Sequence, residues 1–371
     1  MKNIYFCQLF SSSNTNYTSQ LFNLINSIIN AFENDKKIVI VDKFINDFYG
    51  EKLTSNICDI LNLDKLNIFL KDNYNILLVD KENIEFKVKH VNYGIDNNFI
   101  DLTNEILTQF SFPNNLLLDT NVNLNFIKSY DPAPNCKKQV IINYSLNNYE
   151  FEEIFDECDC VLKEPIIFNL YNDNFHFDSV KLSNIKNKNM FDHILQNLQF
   201  SDIYDVISNN YLENNNPENK KINVIDLRLD NDIFKKFLNI NINEIYGKFI
   251  DVIKRYILKH EKTILLYNDF NTDIIDKNNI NNYVNPVLHF LHHNGYDYCV
   301  SKNLPVFGSE INSNINLAIG KKCNNVYIGN FNINQLNGSD FTYTLIQQMN
   351  HNVKHVLIDV NNIKNKEQLN F

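Results

Sequence analysis

Short apolar runs alternate with longer segments of helical period along this chain, and that alternation constrains its fold more than any other feature. Lys37–Val41 reads KIVIV, a continuous apolar run suited to a parallel strand covered on both faces. Ahead of it, Leu21, Leu24, Ile25, Ile28, Ile29 and Phe32 form one wide stripe within Gln20–Phe32, the mark of a helix packed on a sheet. With a strand predicted at Ile4–Phe10 and a polar loop over Ser11–Ser19, the first forty residues read as strand, helix, strand. Further strands are predicted at Ile76–Val79, Ile84–His90, Gln139–Asn143 and Pro165–Leu170, and a helix over Phe191–Leu212 closes this half.

The alternation then restarts. Asn209–Lys221 is polar, contains Pro217 and carries no apolar period, so it reads as a linker. Strands are predicted at Ile222–Leu229, Thr263–Tyr267, Tyr296–Val300, Val326–Ile328 and His355–Val360. Helices are predicted at Asn243–Lys259, Pro286–His293, Ile311–Ala318 and from Ser339. The expected architecture is α/β, with two Rossmann-like domains (1–208 and 222–371) built on parallel sheets and joined by 209–221. Such sheets take ligands at the carboxyl ends of their strands, and a second crevice is expected where the domains face each other.

Charge excludes some partners. Lys and Arg number 34 against 44 Asp and Glu, a net charge of −10, and no basic cluster offers a polyphosphate backbone a place to release counterions. Nucleic acid is therefore not an expected partner. No apolar run reaches the ~20 residues of a membrane span, and the amino-terminal run is too short for a signal core. Seven cysteines at irregular spacing fit reduced thiols and a cytoplasmic setting. The Cys158-x-Cys160 pair lacks a second pair at finger-like spacing.

Three stretches carry candidate chemistry. In VIDLRLDND, Val224–Asp232, Arg228 stands where a strand meets its loop. It is one of two arginines, the other being Arg255. A guanidinium there can fork onto a diphosphate, or pair with Asp226, Asp230 or Asp232. Asp230 and Asp232 also match a D-x-D pattern that can hold Mn²⁺ or Mg²⁺, although a solvated acidic turn reads the same way. In HFLHH, His289 and His293 lie one helical turn apart, but Phe290 occupies the position where a zinc protease needs Glu. In VYIGNFNINQLNGSDFTYTL a strand, a polar loop and a helix start at Gly338, Ser339, Asp340, Phe341 and Thr342 suggest an anion seat. Asp340 in that seat either caps the helix or repels a phosphate.

Taken in order, these stretches resemble the O-fucosyltransferase-like glycosyltransferases, including versions from large DNA viruses. Glu310, Gly329, Asn330, Ser339, Phe341 and Thr342 fit the carboxyl-terminal motif, and Arg228 matches the arginine of the H-x-R segment. Gln20 matches the glutamine of the first motif, whose glycines are replaced here by Ser11, Ser12 and Ser13. Asp226 stands in place of the family histidine and Asp340 in place of a Thr or Ser. Residues 45–220 carry nothing diagnostic. The resemblance implies a GT-B architecture and transfer of a sugar, fucosyltransferase-like, from a GDP-sugar donor to a protein or glycan acceptor. It implies Arg228 in the catalytic role, with the Ser339–Thr342 helix start and Asp226 beside the diphosphate, and neither a bound metal nor a cofactor. A catalytically degenerate binding or assembly protein on the same fold is the alternative, because the altered positions fall in the motifs themselves.

Overall fold

A computed structural model of the chain describes residues 3–9, 17–48, 51–112, 115–147, 149–158, 161–169, 184–227, 242–266, 277–301, 309–330 and 340–358. In chain order the elements are β1 (Ile4–Cys7), α1 (Tyr17–Glu33), β2 (Ile38–Val41), β3 (Phe44–Phe48), β4 (Glu51–Ser55), α2 (Ile57–Ile60), α3 (Leu63–Tyr74) and β5 (Leu77–Asp80). There follow β6 (Phe86–Ile95), β7 (Asn98–Asp101), α4 (Thr103–Phe110), β8 (Ser111–Phe112), β9 (Asn115–Leu118), α5 (Leu124–Ile127), β10 (Gln139–Leu146), β11 (Tyr149–Cys158), β12 (Val161–Leu162) and β13 (Ile166–Asn169). The remainder comprises α6 (Lys188–Gln196), α7 (Asp202–Asn215), β14 (Ile222–Asp226), α8 (Ile242–Tyr256), β15 (Lys262–Leu266), α9 (Lys277–His293), β16 (Asp297–Ser301), α10 (Ser309–Gly320), β17 (Val326–Asn330), α11 (Asp340–Gln348) and β18 (Lys354–Ile358).

The fold is α/β and divides into two compact units, each with its own parallel sheet. The first comprises residues 1–8, 30–42 and 71–177, and the second residues 9–29, 43–70 and 178–371. The chain therefore passes between units after β1, within α1, after β2, within α3 and again at residues 177–178. Residues 209–215 of the polar stretch expected as a linker form the last turns of α7.

In the first unit β1, β2 and β5 form a small parallel sheet with β2 in the middle. The rest of this unit departs from a purely parallel plan. An antiparallel sheet runs β12-β11-β10-β6-β7, and a second joins β13, β9 and β8. Two-residue loops set the hairpins: Leu146 pairs with Tyr149 and Ile95 with Asn98, with Asn147 and Asp96 both at φ 53°. Asn and Asp tolerate that left-handed conformation, and two such residues between strands select a tight hairpin. Residues from all three sheets, among them Ile40, Val79, Tyr93, Leu116, Val140 and Tyr144, share one core.

A buried ion network ties the 123–138 segment to this core. Lys138 is 2% exposed and lies 3.2 Å from Asp131 and 3.3 Å from Glu157, itself 3% exposed. The Tyr93 hydroxyl donates to Glu157 at 2.5 Å, and Asn125 donates to Asp131 at 3.1 Å. Burial opposes the Lys138 charge, yet the hydrogen bonds and charges of Asp131 and Glu157 outweigh it and raise the ammonium pKa.

The second unit holds one wholly parallel sheet in the order β16-β15-β14-β17-β18. Helices α8 and α9 cover one face, where Ile225, Leu265, Val326, Ile328, Phe249, Ile253, Val287 and Leu291 form a core. Gly320 at the end of α10 lies against Leu345 of α11 and Leu266 of β15; a Cβ there would meet Leu345 at 2.8 Å. The helix expected over Phe191–Leu212 is two, α6 and α7, because the chain breaks at Asn197–Ser201 and pairs Leu61 with Phe200. Among the described residues no helix is long and apolar enough to cross a membrane.

Removing one partner from a buried ion network leaves the other charges unpaired, at a cost of about 3–5 kcal/mol. Lys138→Ala is therefore expected to lower the urea midpoint of the first unit sharply. Replacing Lys138 by Met together with Glu157 by Gln is expected to recover part of the loss.

Candidate functional site

In chain order the strands of the second sheet stand third, second, first, fourth, fifth. The order reverses between β14 and β17. The crevice at the carboxyl ends of strands flanking such a reversal is where open parallel sheets take ligands.

Asp226 is the last residue of β14, and Tyr327 lies on β17 beside it. Their neighbours Ile225 and Ile328 join the core beneath α8 and α9. Strand alternation sends Asp226 and Tyr327 to the opposite face. There the Tyr327 hydroxyl donates to Asp226 Oδ2 at 2.8 Å, and the Thr342 hydroxyl donates to the same oxygen at 2.9 Å. Asp226 is 1% exposed. A carboxylate so buried is tolerable only when hydrogen-bonded, and hydroxyl donors to it form short, charge-assisted bonds. Thr342 is the third residue of α11, so the carboxylate also lies against the positive end of a helix.

Gly329 makes the arrangement possible. A Cβ built on it would stand 2.6 Å from the Tyr327 hydroxyl oxygen and 2.8 Å from a ring carbon. Without a side chain at 329, the buried Tyr327 ring lies forward along its own strand, over residue 329, and reaches Asp226.

The next residue of α11 is held from another side. The Tyr343 hydroxyl donates to Asp192 of α6 at 2.6 Å, and Lys188 Nζ donates to the same carboxylate at 2.8 Å. The Lys188 ammonium also donates to the Tyr343 hydroxyl and stands 3.9 Å from the ring centroid. Phe22 of α1 meets Phe191 edge-on at 5.0 Å and Tyr343 at 6.4 Å. Phe341 is buried. Three consecutive residues thus anchor the first turn of α11 to the core, to β14 and to α6. Gln348 anchors its last turn to the carbonyls of Leu195 and Leu198.

The residues singled out in the sequence fall as follows. Asp226, Gly329, Phe341 and Thr342 meet around the β14–β17 reversal. Asn330 ends β17, Asp340 opens α11, and Glu310 belongs to the first turn of α10. Gln20 is fully buried; its amide donates to the Ile45 carbonyl at 2.9 Å and accepts from the Ile45 amide at 2.8 Å, so it continues β3 as a strand neighbour would. Arg228, Ser339, Ser11, Ser12, Ser13, Asp230, Asp232 and Cys160 lie outside the described residues. Sequence reasoning overlooked Tyr327, Tyr343, Lys188 and Asp192. A lone hydroxyl in the aliphatic strand VYIG, with glycine two residues on, was the available signal for Tyr327.

No group of three or more His, Cys, Asp or Glu able to hold a metal occurs among the described residues. No family model matches the sequence, and no curated protein matches it. Solved structures of POFUT1 are similar to this chain. The complex with GDP-fucose has a TM-score of 0.48 at 8% identity, covering 96% of this chain and 98% of that one. A complex with GDP has a TM-score of 0.48 at 9% identity over the same shares, and the apo form 0.44 at 11%. At these values the site rests on the chain's own geometry.

Hydrogen bonds to charged groups contribute about 1.5–3 kcal/mol. Tyr327→Phe and Thr342→Val should each destabilise the second unit by about that amount in urea titrations. Because they share one oxygen, the double variant should depart from additivity.

His355 of β18 pairs in register with Tyr327 and meets its ring edge-on at 6.1 Å. Burial lowers its pKa from the ordinary 6.5, so the folded state favours the neutral ring. Its contribution is fully present above pH 6.5 and is lost as pH falls below that value, because the unfolded chain takes up the proton first. The midpoint temperature should drop from pH 7 to pH 5, and His355→Phe should flatten that slope.

Proposed function

We propose that the chain is a GT-B-type, fucosyltransferase-like glycosyltransferase that takes a GDP-sugar donor and a protein or glycan acceptor, without metal. The observation that carries this reading is the strand-order reversal between β14 and β17, with the Asp226–Thr342 pair joining a strand end to a helix start there. Arg228 follows two residues after Asp226 in the chain.

In sugar transfer the bond between the anomeric carbon and the diphosphate breaks, and negative charge grows on the leaving phosphate. Groups fixed in advance at that position stabilise the transition state more than the bound donor. The first N–H groups of a helix have no partner within the helix and suit an anion. The first turn of α11, anchored through Phe341, Thr342 and Tyr343, would offer them without reorganisation. The Thr342 hydroxyl hydrogen is committed to Asp226. The helix amides and the Arg228 guanidinium would therefore carry the contact with phosphate.

A second reading, a catalytically degenerate binding protein, draws support from the same bond. The buried Asp226 carboxylate already meets the positive end of α11 and opposes a further anion there.

Calorimetric titration with GDP tests the proposal. Binding is expected, unchanged by EDTA, and Arg228→Ala should weaken it roughly tenfold to a hundredfold, the equivalent of one charge-assisted hydrogen bond. Absence of GDP binding, or its loss on chelation, would overturn the reading. GDP binding without hydrolysis or transfer of a GDP-sugar would favour the degenerate alternative.

A further inference from the structure

The histidine-rich end of α9 takes no part in the site described above. Val287 and Leu291 on its inner side are fully buried in the core of the second unit, which fixes the helix against the sheet. His289, His292 and His293 are all exposed. His289 and His293 stand one turn apart with ring centroids 4.4 Å from each other at 52°, whereas His292 and His293 are 5.8 Å apart. The helix closes just beyond, where Gly295 at φ 71° returns its amide to the His292 carbonyl at 3.1 Å.

We infer that His289 and His293 form a two-imidazole chelate for a divalent late transition metal such as Zn²⁺ or Ni²⁺. The spacing is the one by which two histidines on one helical face share an ion. Neutral imidazole suits these metals. The backbone that carries both rings is held by the packed inner face and the closed helix end. A cation there meets the negative end of the helix dipole. Ring centroids 4.4 Å apart put both imidazoles within reach of one ion. No third protein ligand completes the set among the described residues. Both rings are exposed, so water would fill the remaining coordination positions and the ion would exchange, unlike one in a closed structural zinc site.

Zn²⁺ and Ni²⁺ would be titrated separately into the untagged full-length protein by calorimetry. One ion per chain is expected. His289→Ala and His293→Ala should each weaken it by roughly tenfold or more, because the second imidazole no longer binds intramolecularly. His292→Ala should change affinity less than twofold. All three positions are exposed, and circular dichroism would verify that the variants fold. Absence of binding in the wild type would overturn the proposal. So would binding that survives both His289→Ala and His293→Ala, or equal losses at all three positions. Because GDP affinity is measured separately and without metal, failure here leaves the proposed function standing, and the reverse also holds.

Discussion

A single buried carboxylate, Asp226, joins the end of β14, the second residue of β17 and the start of α11 through two hydroxyl bonds to one oxygen. Much of the local architecture answers to that need. Tyr327 must reach sideways from its strand, so position 329 must be glycine. Thr342 must point at the strand end, so Phe341 goes into the core and Tyr343 turns toward Asp192 and Lys188. A carboxylate without those donors would be a costly buried charge. With them it holds a strand and a helix together at the place where this sheet can admit a ligand.

The two units use different means to the same end. The second relies on a continuous parallel sheet whose aliphatic strands need cover on both faces. The first carries only three parallel strands, and most of its strand residues lie in antiparallel pairs. Its loop around residues 123–138 is secured by the Lys138, Asp131 and Glu157 ions, not by apolar contact alone. Such networks specify one arrangement because few others would satisfy every charge.

Much of the second unit was legible in the sequence. Continuous runs such as VYI and TILL, separated by helical stripes, specify parallel strands with little ambiguity. The antiparallel part of the first unit was not. Its hairpins turn on Asp96 and Asn147, but asparagine is so abundant throughout the chain that these turn signals do not stand out. The passage of the chain between units within α1 also left no local mark, because it follows from contacts between residues distant in sequence. At the site, Asp226, Gly329 and Thr342, which the motifs single out, lie around one strand-order reversal. The chemistry between them was hidden. The sequence marks Asp226 as a charge beside a strand end, but the Tyr327 and Thr342 hydroxyls that donate to it come near only through the fold. The hydrogen bonds of the Gln20 amide to the Ile45 backbone were equally hidden, because Ile45 is distant in sequence.

If the Asp226 junction prepares α11 to receive a diphosphate, nucleotide should be felt there first. Native-state hydrogen exchange, read peptide by peptide with and without GDP, addresses this directly. The account predicts slower exchange confined to the first turn of α11, around residues 340–343, and to the end of β14, around residues 224–227. Unchanged exchange at both segments under saturating GDP, or protection concentrated elsewhere in the chain, would contradict it.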